Sequence, residues 1–462
     1  MDIYVSLTKK ALFTGTLVRY FHLIIEHVFV YNGSEITKLG CFIMMDYSTL
    51  PKHDILCIDM RSFYASCEAV ALGMDPEDCY LAVVGDPDLS SSIVLASSPK
   101  LKRDFGIKTG NRVFEIPKHR NIRLVGARMG YYLQKSIEIT QIYYGYVPLE
   151  DIHIYSIDEA WLKVDGSEGI FGDKRAIAQK IKDEIYRELG LPSAVGIGPN
   201  RFLSKVCLDI EGKKRGIACW EYEDVPRKLW PLPTKKCWGI GSAMARNLKN
   251  LGIHTLGQLA HYPLEVLESK FGVMGNQLYY HAWGVDLSLL EGNLYPPIPK
   301  SIGKGITLEE DYRDGDRVKT VILELCEDIC RRARKQRLVG KSVHLSLRYS
   351  KAQGGGGLSH SLTMEHRSNL TLDIYRLCLE ILKRYPIQGW VRKISVALCN
   401  LRSEDALQLD FFRPALLRDR ILAQTMDELH DRFGPATVFR ARSLSPGAIT
   451  FKQKNKLGGH NR

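Results

Sequence analysis

Runs of apolar residues alternate with amphipathic stretches along most of the chain. Residues 54–58, 80–84, 93–97 and 193–198 form short, mostly apolar runs, which predict buried strands. Residues 174–189 instead place isoleucine or leucine at every fourth position, which predicts an amphipathic helix packed on a sheet. Helices and strands that alternate in this way predict an α/β (α+β) chain.

One predicted hairpin carries two adjacent acids. The apolar-rich runs 152–157 and 160–164 predict two strands, with Asp158 and Glu159 at the tight turn between them. Successive strand residues face opposite sides of a sheet, so the two acids can reach one ligand only if the turn redirects one of them. A lone acidic pair of this kind is more often a solvated turn.

A third carboxylate favours a ligand site over a solvated turn. Asp59 closes the strand-like run 54–58 and is followed by the aromatic pair Phe63 and Tyr64. Three clustered carboxylates suit two Mg²⁺ ions roughly 3.5–4 Å apart, the arrangement that supports in-line phosphoryl transfer. The metal ions would also relieve the repulsion between the acids.

The composition favours a globular protein with a polyanionic partner. The chain has 462 residues, 45% of them hydrophobic, a formal net charge of +12 and a pI of about 9.0. A basic but unselective surface is the alternative explanation of the charge. The 11 cysteines include no Cys-x-x-Cys pair, which indicates neither a zinc site nor a disulfide framework and fits a reducing cytoplasm. No apolar run is long enough to span a membrane.

Two motifs resemble the signature of a known family. Residues 59–68 read Asp-Met-Arg-Ser-Phe-Tyr-Ala-Ser-Cys-Glu, and residues 156–160 read Ser-Ile-Asp-Glu-Ala. At this spacing they resemble the paired motifs of the Y-family translesion DNA polymerases. Within that family the wording is most similar to the UmuC-like, UvrX-type UV-damage-repair proteins of Gram-positive bacteria and their phages and plasmids. The resemblance extends from about residue 54 to residue 412.

This resemblance implies a right-hand polymerase fold with a ferredoxin-like palm and two domains that grip DNA. The implied domains are palm 45–62 and 129–224, small fingers 63–128, helix-hairpin-helix thumb 225–294, linker 295–300, α/β little finger 301–403 and tail 404–462. The implied activity is DNA-directed DNA polymerisation, error-prone and without proofreading, in the SOS response to DNA damage. The implied location is the cytoplasm, at the nucleoid.

The resemblance also assigns roles to residues of the nucleotide site. Asp59, Asp158 and Glu159 would be catalytic and, with Met60, would hold two Mg²⁺ ions. Tyr64 would be the steric gate against the 2′-hydroxyl of a ribonucleotide, with Phe63 beside it. The side chains implied to bind the triphosphate of the incoming dNTP are Arg103, Lys205 and Lys100, the last standing where many relatives have tyrosine and able to act only as a point charge.

Residues 237–256 resemble a helix-hairpin-helix, in which Gly239 and Gly241 let backbone N–H groups approach a DNA phosphate. Lys300, Ser301, Arg348 and Arg392 are candidate phosphate contacts of the little finger, expected to give salt-sensitive, sequence-independent affinity for primer-template DNA. Basic strand residues of this kind are often merely solvated.

Residues 408–412 resemble the peptide with which bacterial polymerases bind the sliding clamp. Leu409, Phe411 and Phe412 would occupy apolar pockets and Gln408 would precede them, although Phe411 departs from the usual leucine. A recombinase of the damage response is a further expected partner.

Residues 1–44 do not resemble the family. Their apolar stretch 17–30 is interrupted by charged residues and lacks a small-residue cleavage site, which argues against a secretory signal. One hypothesis is that translation starts at Met44 or Met45 and that the upstream residues are translated promoter, since residues 25–30 can be encoded by a palindrome like the operator of the Gram-positive damage response. The alternative is a loosely packed extension.

Two other classes compete with an active polymerase. A catalytically retired family member could serve as a DNA- and clamp-binding scaffold, but all three acids are present. A different palm enzyme, such as a nucleotidyl cyclase, would not need the helix-hairpin-helix or the little-finger-like module.

Overall fold

The structure is a computed structural model of the chain. It describes residues 45–290, 298–404, 415–434, 436–453, 456–457 and 460–461. The extension 1–44 and the predicted clamp-binding peptide 408–412 lie outside the described residues, so the predictions made for them stay predictions. In the described part of the chain, no helix is long and apolar enough to cross a membrane.

Helices and strands alternate as the sequence predicts. The strands are β1 (Ile55–Met60), β2 (Leu81–Val84), β3 (Val94–Ser97), β4 (Arg123–Gly126), β5 (Ile152–Ile154), β6 (Glu159–Lys163), β7 (Ser193–Gly198), β8 (Ile217–Cys219), β9 (Ser301–Tyr312), β10 (Leu338–Tyr349), β11 (Gly357–Ser368), β12 (Val391–Cys399), β13 (Arg402–Ser403), β14 (Lys456–Leu457) and β15 (His460–Asn461). The α-helices are α1 (Phe63–Ala71), α2 (Pro99–Phe105), α3 (Met129–Tyr144), α4 (Glu168–Phe171), α5 (Lys174–Leu189), α6 (Arg201–Cys207), α7 (Lys213–Arg215), α8 (Ser242–Lys249), α9 (Leu256–Ala260), α10 (Leu264–Phe271), α11 (Val273–Ala282), α12 (Gly315–Lys335), α13 (Thr371–Arg384), α14 (Leu416–Phe433) and α15 (Thr450–Gln453).

The central sheet has the strand order β5-β6-β1-β7-β8. The chain passes through β1, α3, β5, β6, α5 and β7, which is the βαββαβ order of a split βαβ fold. The predicted mixed α/β class is therefore confirmed. Strand β1 lies between β6 and β7 in the sheet, and all its residues are buried except the half-buried Asp59.

Contacts between residues divide the chain into two compact units. The first comprises the described residues within Met1–Asp59, Ala160–Lys180 and Ala194–Leu290, and the second comprises those within Met60–Glu159, Ile181–Ser193 and Glu291–Arg462.

Buried tryptophans organise the core of the first unit. Trp283 donates its indole N–H to the carbonyl of Ala260 at 2.8 Å, and Trp230 donates to the carbonyl of Ala282 at 3.0 Å. These bonds satisfy the polar end of each ring, which allows the large apolar part to be buried. Tyr47 donates its hydroxyl to the carbonyl of Trp283 at 2.9 Å, so the segment that follows residue 44 packs on the same core.

The first part of the second unit contains a small sheet of order β3-β2-β4. Its core includes Val84, Val94 and Leu101. Leu101 is the one buried residue of α2, and the Ser98 side chain caps this helix by accepting the Leu101 N–H. Of the two lysines beside Leu101, Lys102 is exposed, whereas Lys100 is half-buried.

The C-terminal part of the second unit is an antiparallel sheet of order β11-β10-β12-β9 covered by helices. Val343, Leu345 and Leu347 of β10 are buried, and they share a core with the apolar face of α12 and with α13. The alternate residues of β10, among them His344 and Ser346, lie on the opposite face.

A segment near the C-terminus completes this core. Ile449 is buried among residues of α12 and the sheet. The carboxylate of Glu324, itself buried in α12, accepts the N–H of Ile449 at 2.7 Å and the hydroxyl of Thr450 at 2.6 Å. This part of the predicted tail therefore packs on the C-terminal sheet and its helices, a contact that no local sequence pattern indicates.

We predict that Ile449→Ala destabilises the protein by about 2–4 kcal/mol, because it removes buried apolar atoms and leaves a cavity. The measurement is urea unfolding followed by fluorescence. Leu444→Ala is the matched control in the same segment, because Leu444 is 68% exposed and its loss should cost less than about 0.5 kcal/mol. Equal effects of the two substitutions would contradict this packing.

Candidate active site

The two adjacent acids occupy different positions of the predicted hairpin. Strand β5 ends at Ile154 and β6 begins at Glu159, so Asp158 lies in the turn and Glu159 is the first residue of a strand. The carbonyl of Glu159 accepts N–H groups from Tyr155 and Ser156, each at 3.0 Å. The hairpin prediction is confirmed, and the turn resolves the alternation problem because the two acids are not both strand residues.

The turn is fixed to the end of β1. Ser156 donates its hydroxyl to Oδ1 of Asp158 at 2.6 Å, which orients that carboxylate. The N–H of Met60, the residue after Asp59, donates to the carbonyl of Asp158 at 2.9 Å. The backbone therefore holds the acidic turn beside the last residue of β1.

Asp59 is held by a lysine that the sequence analysis did not single out. Nζ of Lys213 lies 3.1 Å from Oδ2 of Asp59 and 2.9 Å from Oδ1 of Asp209. Burial by itself would lower the pKa of Lys213, but the charges of Asp59 and Asp209 outweigh it and raise that pKa above its ordinary value. Lys213 therefore stays protonated and is the counter-charge that Asp59 has in this structure.

Lys205, predicted to bind triphosphate, joins the same network. It is 5% exposed, and its Nζ lies 3.4 Å from Oδ1 of Asp209. A π-helical turn, Leu208–Gly212, connects α6 to α7 and separates these two lysines. The spacing of Lys205, Asp209 and Lys213 at four-residue intervals is a signal of mutual contact that could have identified Lys213 from the sequence.

The oxygen donors fit a hard divalent cation, although no metal cluster is already gathered. Carboxylates are the ligands that Mg²⁺ prefers in proteins. Within the described ranges, no group of three or more His, Cys, Asp or Glu side chains is arranged to hold a metal ion. At Asp59, a metal ion would have to exchange with the Lys213 ammonium.

Of the two aromatic residues at the start of α1, one lies in the core and the other lies at the site. Phe63 is 3% exposed, whereas Tyr64 is half-buried and stacks on Tyr132 with ring centroids 4.4 Å apart. Burial, followed by the charge of Asp158, raises the pKa of Tyr64. Tyr64 is thus the member of the pair that the site can use.

An ion pair between the buried Glu68 and the exposed Arg128 supports the ring beneath Tyr64. Tyr132 donates its hydroxyl to Oε1 of Glu68 at 2.8 Å, and Arg128 donates to both oxygens of Glu68 at 2.9 and 2.7 Å. Glu68 is 2% exposed, and these donors satisfy its buried oxygens. Burial raises the pKa of Tyr132, which keeps its hydroxyl protonated as a donor.

The basic residues of α2 have different partners. Nζ of Lys100 lies 2.7 Å from Oδ1 of Asp78, and Nε of Arg103 lies 3.2 Å from Oδ1 of Asp104. Lys102, which lies outside the predicted site, donates to the hydroxyl of Ser62 at 2.8 Å. Ser62 precedes α1, but its side chain makes no capping hydrogen bond.

The predicted hairpin of the thumb has the backbone that its glycines suggest. Gly239 has a φ of +86°, which is unfavourable for residues with a Cβ, and Gly241 is the N-cap of α8. Ile240 between them is 6% exposed and anchors the turn in the core of the first unit. The two glycines therefore lie on the outer side of an anchored turn.

The candidate DNA contacts of the C-terminal sheet do not form a single set. Arg348 is directly opposite Lys393 in the register, so these two basic side chains share the face that points away from the helices. Ser301 is an exposed residue of the neighbouring strand β9, and Lys300 precedes it. Arg392 instead contacts the carbonyl of Glu309 at 3.2 Å and the carboxylate of Asp311 at 3.3 Å.

Comparison with known proteins gives this architecture a family. Residues 58–209 match the model of the impB/mucB/samB family, residues 299–411 match that family's C-terminal domain, and residues 236–286 match the thumb domain of DNA polymerase iota. The putative UV-damage repair protein UvrX of Bacillus subtilis (strain 168) is 45% identical over 425 residues, which cover 90% of this chain and 100% of that protein. The chain belongs to the Y family of DNA polymerases. DNA polymerase IV 2 of the same organism is 35% identical over 414 residues, 88% of this chain and 98% of that protein.

A solved structure agrees with this Y-family membership at the level of the fold. The Y-family DNA polymerase chimera Dbh-Dpo4(243-245)-Dbh has a TM-score of 0.61 and 23% identity, and the match covers 76% of this chain and 99% of the chimera. The resemblance to Y-family polymerases, and to UvrX-type repair proteins among them, is therefore confirmed. The roles of individual residues and the domain boundaries in this Y-family chain stay predictions.

We predict that Lys213→Met strengthens the response of this Y-family polymerase to Mg²⁺, because the metal ion no longer competes with an ammonium at Asp59. The measurement is the melting temperature across a Mg²⁺ titration without DNA or nucleotide. The melting temperature of the variant should start lower than that of the wild type, because Asp59 and Asp209 lose a cation, and should rise more with Mg²⁺.

Lys214→Met is the matched control, because it removes the same charge from the exposed neighbouring position. If the two variants respond equally to Mg²⁺, Lys213 does not compete with the metal ion.

Proposed function

We propose that this chain is a template-directed DNA polymerase that adds dNTPs to a primer 3′ end opposite damaged bases, as part of error-prone translesion synthesis in the SOS response. Family membership supports the reaction class. The observation that supports the catalytic centre is the hydrogen bond from the Met60 N–H to the Asp158 carbonyl, which ties the acidic turn to the strand that ends in Asp59 and Met60.

Asp59, Asp158 and Glu159, with Met60, would hold two Mg²⁺ ions. When bound, these ions would lower the barrier by neutralising charge on the triphosphate and on the attacking 3′ oxygen. The chain itself supplies position: Ser156 orients Asp158, and Lys213 pairs with Asp59 until a metal ion takes its place. Lys205 and Arg103 would contact the triphosphate.

Selection of deoxyribonucleotides would depend on Tyr64. Its ring is backed by Tyr132, so it cannot move away from a 2′-hydroxyl without losing the stack. Tyr132 is in turn fixed by Glu68, which Arg128 holds with both ends of its guanidinium.

Primer-template DNA would be held through its phosphates. Gly239 and Gly241 would offer backbone N–H groups, and Lys300, Ser301 and Arg348 would contact the backbone from the C-terminal module. Lys393 joins this set because it shares a face with Arg348, whereas Arg392 contributes less because Asp311 already engages it. The sliding clamp through residues 408–412 and a damage-response recombinase are the protein partners proposed with this function, and the cytoplasmic nucleoid is the proposed location.

We predict that Asp158→Ala/Glu159→Ala abolishes primer extension with Mg²⁺, lowering kcat at least about a thousandfold, because the metal ions lose two ligands. The measurement is extension of a labelled primer on undamaged and thymine-dimer templates. Glu150→Ala/Asp151→Ala is the matched control, because it removes an adjacent acid pair from the other end of β5.

A wild-type protein that binds primer-template but never extends it, even with clamp present, would support the alternative scaffold function. Loss of extension in the control pair to the same degree would mean that general charge loss, and not the site, is responsible.

We predict that Tyr132→Leu reduces discrimination against ribonucleotides several-fold, because Tyr64 loses a stacking partner whose contribution is about 1 kcal/mol. The measurement is the ratio of kcat/KM for dNTP and rNTP incorporation. Tyr132→Phe is the control that retains the stack and loses only the hydroxyl bonded to Glu68. It should lower the free energy of unfolding by about 1 kcal/mol and leave the ratio near that of the wild type. If Tyr132→Phe and Tyr132→Leu change the kcat/KM ratio equally, the stack of Tyr132 on Tyr64 does not determine discrimination against ribonucleotides.

A further inference from the structure

Two lysines of α2 have different environments, although they are two residues apart. The side chain of Lys100 is half-buried, lies 2.7 Å from the carboxylate of Asp78 and passes over the ring of Tyr80. Lys102 is exposed and donates to the hydroxyl of Ser62 at 2.8 Å. Residues i and i+2 of a helix do not share a face, so α2 can direct only one of the two toward Ser62.

Ser62 marks the part of the nucleotide site that Lys102 reaches. It follows the last residues of β1 and precedes the helix that carries Tyr64. Its backbone is left-handed, with a φ of +50°, and its hydroxyl does not cap the helix. The Lys102 ammonium therefore lies at the short connection between the metal-binding strand and the proposed sugar-contacting residue.

We propose that Lys102, and not Lys100, supplies the lysine contact to the triphosphate of the incoming dNTP. This inference rests on the proposed polymerase function. The Lys102 contact to Ser62 is made to a neutral hydroxyl, and exchanging it for a phosphate oxygen gains a charge-assisted hydrogen bond. Lys100 lies on a different face of the helix, against Asp78, and is not placed to make the same contact.

Lys100 has a structural role in this arrangement. It ties α2 to Asp78, in the segment that precedes β2. Tyr80 lies beneath it, and the Tyr80 hydroxyl donates to Oδ2 of Asp104, whose Oδ1 accepts from Nε of Arg103. The Lys100 side of α2 thus faces the small sheet and helps to hold the helix from which Lys102 and Arg103 extend.

The test is the steady-state kinetics of primer extension for Lys102→Ala and Lys100→Ala. Lys102→Ala should raise the KM for dNTP about tenfold, as expected for one lost contact between a cation and a phosphate, and should change kcat less than about threefold. Lys102→Arg should recover part of the loss, because it retains the charge. Lys100→Ala should lower the melting temperature and change the KM less than about twofold.

Lys108→Ala is the control for charge loss, because Lys108 is an exposed lysine of the same segment that the proposal does not use. A rise in KM for Lys100→Ala that equals or exceeds the rise for Lys102→Ala would overturn the proposal. So would an unchanged KM in Lys102→Ala.

Inorganic tripolyphosphate separates this inference from the polymerase function. It presents only the phosphate chain, so its binding can be measured by calorimetry whether or not the protein extends a primer. Lys102→Ala should weaken tripolyphosphate binding about tenfold relative to Lys108→Ala. If the wild type fails to extend primers but shows this difference, the proposed function fails and the Lys102 site stands. If the wild type extends primers but Lys102→Ala and Lys108→Ala bind tripolyphosphate equally, the proposed function stands and the Lys102 site fails.

Discussion

Carboxylates that are buried or half-buried need a positive charge or hydrogen-bond donors nearby, and this requirement governs the centre of the structure. Asp59 follows four buried residues of β1, where an uncompensated charge would be costly. Lys213 supplies the compensation through a side chain that stays 42% exposed, so it can leave toward solvent. A metal ion entering at Asp59 would replace one cation by another, and the charge balance of the strand would survive the exchange.

The Glu68 carboxylate meets the same requirement, but its partners leave no room for exchange with another cation. It is almost fully buried, and three hydrogen bonds from Arg128 and Tyr132 satisfy its two oxygens. A carboxylate satisfied by rigid protein donors is a structural element, here joining α1 to α3 beneath Tyr64. Asp158 differs, because it lies in a half-buried turn beside β1. Burial and partners thus distinguish Glu68, which holds the fold, from Asp158.

Local pattern was sufficient to predict most of the fold and the acids of the candidate site. Helix α5 and strand β7 follow directly from periodicity, and Asp158 and Glu159 from the turn between two apolar runs. The partners of long side chains could not be obtained in the same way. Lys100 and Lys102 are both basic residues of one short helix, and only the packing of Leu101 decides which of them faces Asp78.

In the C-terminal sheet, the register of the strands decides which basic residues lie together. Arg392 and Lys393 are adjacent basic residues, and the sequence favoured Arg392. The pairing of β12 with its neighbours contains irregularities at this point, and Lys393 is the residue placed opposite Arg348. A shift of one residue exchanges the faces of a strand, so a sequence without the register cannot assign such contacts.

The C-terminal segment shows what remains hidden when a contact is distant in sequence. Ile449 and Glu324 are far apart along the chain, and neither belongs to a local pattern that indicates the other. Glu404, just before the predicted clamp-binding peptide, pairs with Arg420 of α14, and Arg334 of α12 binds Asp427 of the same helix with both ends of its guanidinium. The chain on both sides of the peptide is thus attached to the C-terminal module. A clamp that bound residues 408–412 would therefore engage an internal segment whose two flanking stretches are attached to the C-terminal module.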